Sequence, residues 1–91
     1  MEIVWDRGKA DANPKKHGGV TFEEAKEALY DPFALTHEDH DARGEQRFVT
    51  LGMGGKGRIL VVVYMYREET IRLISAWKAK EQQRRRYEKQ F

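Results

Sequence analysis

The chain has 91 residues, no cysteine, 40% hydrophobic residues and 35% charged ones. That length fits one domain, 1–91, with a modest core, and the absence of thiols excludes disulfides and thiolate–metal centres, so packing must hold the fold. The net charge of +2 hides a division: residues 1–45 carry 6 Lys/Arg against 11 Asp/Glu, and residues 46–91 carry 11 against 4. A basic second half points to a polyanionic partner. The longest apolar run, Ile59 to Met65, is far below the ~20 residues of a membrane-spanning helix. Met1 to Trp5 lacks the basic leader and apolar stretch of a secretion signal. The expectation is a cytoplasmic domain with no membrane contact.

In chain order, Met1 to Trp5 alternates as a short strand, and Asp6 caps a helix starting near Arg7. Pro14 cannot donate to that helix, which is expected to end or bend near Asn13. Gly18 and Gly19 make the stop, since glycine accepts the left-handed conformation at a helix end. Thr21-Phe-Glu-Glu24 reads as a capping box, and Phe22, Ala25, Ala28 and Leu29 share one face of the helix it opens. Asp31-Pro32 ends that helix. Phe33 to Gln46 is polar and without a strong period, which predicts an exposed loop for most of it.

Arg47 to Gly52 alternates as a strand, and Gly54-Gly-Lys-Gly57 signals a turn. Arg58 to Tyr66, nearly all β-branched or aromatic, suits a central strand covered on both faces. Arg67-Glu-Glu69 turns the chain into a last strand from Thr70 to Ala76. A final helix is predicted from about Ala79 to Lys89, anchored by Tyr87 and Phe91. The expectation is an α+β domain of order β-α-α-β-β-β-α, with a mainly antiparallel four-stranded sheet packed by helices.

Along this order stand Trp5-Asp6, Lys9, Asn13, Lys16-His17-Gly18, Phe22-Glu-Glu-Ala25, Asp31-Pro32, Glu45 with Arg47, Gly52, Leu60-Val-Val-Val63, Arg72-Leu-Ile-Ser-Ala76, Arg84 and Tyr87-Glu88. Taken together, these resemble the BrnT family, toxins of bacterial type II toxin–antitoxin systems. The resemblance implies a RelE-like ribonuclease fold and an endoribonuclease that inhibits translation and growth by cutting RNA. It also implies neutralisation by a BrnA-like antitoxin, two toxins assembling with two antitoxins, and operator DNA reached only through the antitoxin. The chain departs from the family pattern at Trp77, where an arginine is usual, and at Lys80 and Gln83, where Thr and Glu usually cap the last helix. These departures motivate an alternative: a weak or inactive toxin homologue that serves as an antitoxin-binding module in promoter autoregulation.

RNA cleavage without a metal or cofactor requires activation of the 2′-hydroxyl, protonation of the leaving oxygen and neutralisation of the phosphate. The candidates for these roles are Lys16, His17, Arg47, Arg72, Arg84 and Tyr87. Arginine offers two phosphate oxygens a planar fork, so Arg47, Arg72 and Arg84 are the candidate phosphate contacts. The competing reading of Arg47 and Arg72 is an ion pair with Glu45 or another carboxylate at the sheet edge. His17 reads either as an acid–base group or as a helix stop bonded to the backbone, and Tyr87 as a proton donor or a packed helix anchor. His37-Glu-Asp-His-Asp41 contains two imidazoles among carboxylates, but a mobile loop preorganises metal ligands poorly, and a solvated segment is the expectation.

Overall fold

The structure is a computed structural model that describes residues 2–91. Its elements in order are β1 (Glu2–Trp5), α1 (Arg7–Lys16), α2 (Phe22–Leu29), β2 (Leu35–Asp39), β3 (Arg47–Met53), β4 (Ile59–Arg67), β5 (Thr70–Lys78) and α3 (Glu81–Glu88). They form one five-stranded sheet in the order β1-β5-β4-β3-β2. β1 runs parallel to β5, and the other neighbours are antiparallel. The α+β class and the meander from β3 to β5 agree with the sequence reading. The four-stranded sheet does not, because Leu35–Asp39 pairs with β3 residue by residue, from Leu35 opposite Leu51 to Asp39 opposite Arg47. A strand this polar is tolerated at an edge, where charge also discourages pairing with other chains.

Alternation gives the sheet two different faces. The first presents Leu60, Val62, Tyr64, Ile71, Leu73 and Ala76, which pack with Val20, Phe22, Ala25 and Ala28 from α2 and its approach. Here α2 lies so close that a Cβ on Gly52 would stand 2.3 Å from the Ala28 carbonyl oxygen. Only glycine fits that crossing. Thr21 caps α2 by accepting from the Glu24 amide at 3.1 Å. The Glu24 side chain, by contrast, leaves the helix start to Thr21. It is 2% exposed and takes a fork from Arg58, with Nε at 2.6 Å and Nη2 at 2.7 Å.

α1 runs through Pro14 to Lys16 rather than stopping at Asn13. Its tie to the sheet explains the extension. β1 covers β5 only as far as Leu73, which leaves the β5 edge open beyond that point. The buried Asn13 side chain fills it: Nδ2 donates to the Ala76 carbonyl at 2.8 Å and Oδ1 accepts from the Ala76 amide at 3.1 Å. Nδ2 also donates to the Val20 carbonyl at 2.8 Å. One amide thus replaces a missing strand neighbour, which outweighs the single hydrogen bond that Pro14 removes from the helix.

The second face presents Leu51, Ile59, Val61 and Val63, all buried. Ile59 lines a cleft of about 700 Å³ with Arg84, Arg85 and Glu88, so α3 lies over this end of the face. The helix starts at Glu81, two residues later than predicted. Lys80 has no acceptor for an orphan amide, but Gln83 Oε1 accepts from the Lys80 amide at 2.8 Å, so half of a capping box survives the departure from the family pattern. Tyr87 is the helix's buried residue.

Candidate nucleic-acid interface

On the second face, away from α3, one row of directly opposed residues crosses the sheet. Asp39 on β2 faces Arg47 on β3, Arg47 faces Met65 on β4, Met65 faces Arg72 on β5, and Arg72 faces Val4 on β1. Arg47 and Arg72 therefore point the same way, two strand spacings or roughly 10 Å apart at Cα. The strands fix their backbones, and a bulge near Val63–Tyr64, where β5 carries one extra residue, turns Arg72 and Ser75 to this face together. Two guanidinium groups so placed can close on one phosphate or hold two successive ones.

Their carboxylate neighbours are engaged elsewhere. Glu45 pairs with Arg67, whose Nε donates at 3.2 Å and whose Nη2 forms the second, shorter bond. Hydrogen bonding from Arg67 holds the Glu45 carboxyl below its usual range, with Arg72 and Arg47 adding more distant attraction. Asp39, opposite Arg47, accepts from the Asp41 amide at 3.1 Å. Among the described residues the ion pairs are Glu24–Arg58, Glu45–Arg67 and Glu81–Arg85. The competing ion-pair reading of Arg47 and Arg72 thus falls to Arg67, and both remain available to an anion.

Lys16 and His17 lie at the flank of this face. They line a cleft of about 400 Å³ with Asn13, Ile74 and Ser75, beside the open edge of β5. His17 closes α1, its amide donating to the Asn13 carbonyl at 2.9 Å, and its ring lies 5.5 Å from that of Trp77. Among the described residues the ring makes no hydrogen bond to a carbonyl: His17 stops the helix through its backbone amide and packs its ring on Trp77, with part of its surface open to the cleft. Trp77 is half-buried and brings no cation where the family pattern has one.

Two candidates are separated from the arginine pair. Arg84 is exposed at the α3 cleft with Gly57, Ile59 and Lys78, about 20 Å along β4 from Met65. Tyr87 points inward, where its hydroxyl donates to Asp31. Burial, reinforced by Asp31, pushes this phenol up to about 12, which makes it a poor proton donor near neutrality. Burial pushes Asp31 up too, but hydrogen bonds from Tyr87 and from the Met53 and Phe33 amides outweigh it and leave the carboxyl below its ordinary value. Tyr87 is an anchor. The sequence reading missed Asn13, Glu24 and Arg58 as structural ties; Arg58, at the start of an apolar strand, was the visible signal for a buried carboxylate partner.

A mixed sheet with two helices on one face, one helix on part of the other and an arginine-bearing remainder defines a small α+β domain. The chain matches, over residues 5–83, the family described as "Ribonuclease toxin, BrnT, of type II toxin-antitoxin system". It belongs to the BrnT family, and membership implies an antitoxin partner. Among solved structures, the chain is similar to the Brucella abortus ribonuclease toxin BrnT, determined by crystallography at 1.1 Å, with a TM-score of 0.67 and 24% identity. The match covers 89% of this chain and 99% of the other. No curated protein sequence is matched. Among the described residues, no helix is long and apolar enough to cross a membrane.

Proposed function

We propose that this chain is an endoribonuclease that cuts RNA on the open part of the second face, using its own side chains and no metal, and that it thereby inhibits translation and growth. The observation that carries the reading is the pairing of Arg47 and Arg72 across Met65, with no carboxylate bound to either among the described residues. In this account the two guanidinium groups hold the scissile phosphate and stabilise the charge that builds on it. Lys16 and His17, at the flanking cleft, receive the adjoining backbone. Arg84, at the far cleft, contributes to the general attraction for RNA rather than to the reacting phosphate. Tyr87 has no part in the chemistry.

The partner in this reading is a BrnA-like antitoxin, two toxins binding two antitoxins in the cytoplasm, with operator DNA contacted by the antitoxin alone. Trp77 favours a lower catalytic rate than an arginine there would give, because it removes one source of phosphate stabilisation. The test is incubation of the purified chain with a synthetic RNA in EDTA. Cleavage that persists, and binding that weakens steeply with salt, is expected. RNA left intact, with normal growth of cells that express the chain, would refute the reading in favour of an antitoxin-binding module.

A further inference from the structure

The arginine pair supplies charge, but neither guanidinium exchanges a proton near neutral pH, and the inward-facing Tyr87 does not serve. A side chain close to the pair that can accept the 2′-hydroxyl proton is therefore needed. The sequence alone assigns His37 to a solvated loop. The structure makes it the middle residue of β2, and its register decides which way it faces. His37 stands opposite Val49, Val49 opposite Val63, and Val63 opposite Ser75. This is the row next to the one that carries Arg47 and Arg72, on the same face of the sheet.

We propose that His37 is the general base of the ribonuclease reaction; this rests on the reading of the second face as the RNA-cleaving surface. His37 and Arg47 are diagonal neighbours on adjacent antiparallel strands, a relation that sets Cα atoms about 7–8 Å apart and lets long side chains meet around one substrate group. His37 is exposed, and β2 is the edge of the sheet, so nothing packs outside it. The charged groups that face it are Asp39 from its own strand and Arg47 from β3, with the Glu45–Arg67 pair beyond. The other histidines are placed differently. His17 is packed on Trp77, and His40 lies in the turn after β2, off the row.

The step balances with these groups alone. The neutral imidazole of His37 takes the 2′-hydroxyl proton, and the oxygen's electron pair forms a bond to phosphorus while Arg47 and Arg72 hold the phosphate oxygens. The bond from phosphorus to the 5′ oxygen breaks, and that oxygen takes a proton from water. The products are a 2′,3′-cyclic phosphate and a 5′-hydroxyl end. The imidazolium then returns its proton to solvent.

A synthetic oligoribonucleotide, and the same strand with 2′-deoxyribose at the cut position, test this with the wild-type chain, His37→Asn and His40→Asn. The expected result is a fall in kcat of about 100-fold or more in His37→Asn, in line with the contribution of a general base, with KM nearly unchanged. A rise in rate with pH, as the base loses its proton, should be present in wild type and absent in His37→Asn. His40→Asn should match wild type, and the deoxy strand should stay whole. Being exposed on an edge strand, His37→Asn should fold, as circular dichroism can verify. A His37→Asn chain that cuts at the wild-type rate, or keeps the pH-dependent rise, overturns the role of His37 alone. A wild-type chain that leaves the RNA intact overturns both this role and the ribonuclease reading on which it rests.

Discussion

The two faces of the sheet solve opposite problems with the same kinds of side chain. On the first face Arg58 is committed to Glu24, and Asn13 is spent on the backbone of Ala76 and Val20. On the second face Arg47 and Arg72 carry the same charge as Arg58 but hold no carboxylate, although Glu45 and Asp39 are close by. Glu45 is taken by Arg67, and Asp39 binds a turn amide. Beyond a distant attraction to Glu45, two neighbouring cations without a bound carboxylate add little to the stability of the fold. In the proposed reading, they act on what they meet outside the fold.

Cutting the first-face ties should destabilise the fold most. Asn13→Ala strands the Ala76 amide and carbonyl and the Val20 carbonyl in a buried site, at about 1–3 kcal/mol for each group left unpaired. The expected loss is on the order of 3 kcal/mol, read as a lower midpoint in urea denaturation. Arg58→Ala should follow at about 2–3 kcal/mol, somewhat below the usual cost of breaking a buried pair because Arg58 is 29% exposed.

The Glu24–Arg58 pair also sets a pH dependence. Hydrogen bonding from Arg58 lowers the Glu24 carboxyl below its ordinary value of 4.5. The pair's stabilisation is therefore complete above that value and is lost as pH falls through the lower, folded value. Denaturation curves from pH 6 down to about pH 2 should show this acid loss in wild type and not in Arg58→Ala.

Tyr87→Phe tests the covered part of the second face, under α3. Loss of the bond to Asp31 should cost about 1–2 kcal/mol. Because the folded state raises this phenol to about 12 from an unfolded value near 10, it favours the protonated form, and its stabilisation is present below pH 10 and lost as pH rises towards 12. The Phe variant should lack that alkaline loss. RNA cleavage near neutrality should survive in Tyr87→Phe, since the hydroxyl points away from the arginine row. The smallest effect on stability belongs to Arg72→Ala, within about 0.5 kcal/mol of wild type.

Much of this fold was legible in the sequence because local signals agreed with one another. The Thr21 cap, the apolar face of α2, the glycine turn at 54–57 and the β-branched run of β4 all point the same way. β2 was not legible. An edge strand needs no apolar alternation when one side meets water, and Thr-His-Glu-Asp offered none. That single miss removed His37 from view, because only a strand gives it a face and a neighbour. Of the candidate site residues, Arg47 and Arg72 share one row of the sheet, whereas Arg84 and Tyr87 are drawn apart from them by the way α3 docks. Glu24 illustrates a further limit. Its spacing from Thr21 fits a capping box, but a buried arginine 34 residues later claims its carboxylate, a contact that no local pattern can announce.

The proposed role of Arg47 and Arg72 is to hold the RNA phosphate during cleavage. Its most direct test is the rate at which Arg47→Ala/Arg72→Ala cuts a synthetic RNA, measured beside a urea denaturation curve of the same preparation. The account predicts a midpoint close to wild type and a cleavage rate lower by about 100-fold or more, the scale of losing preorganised donors to a reacting oxyanion. A double variant that folds as wild type and cuts RNA at the wild-type rate would contradict it.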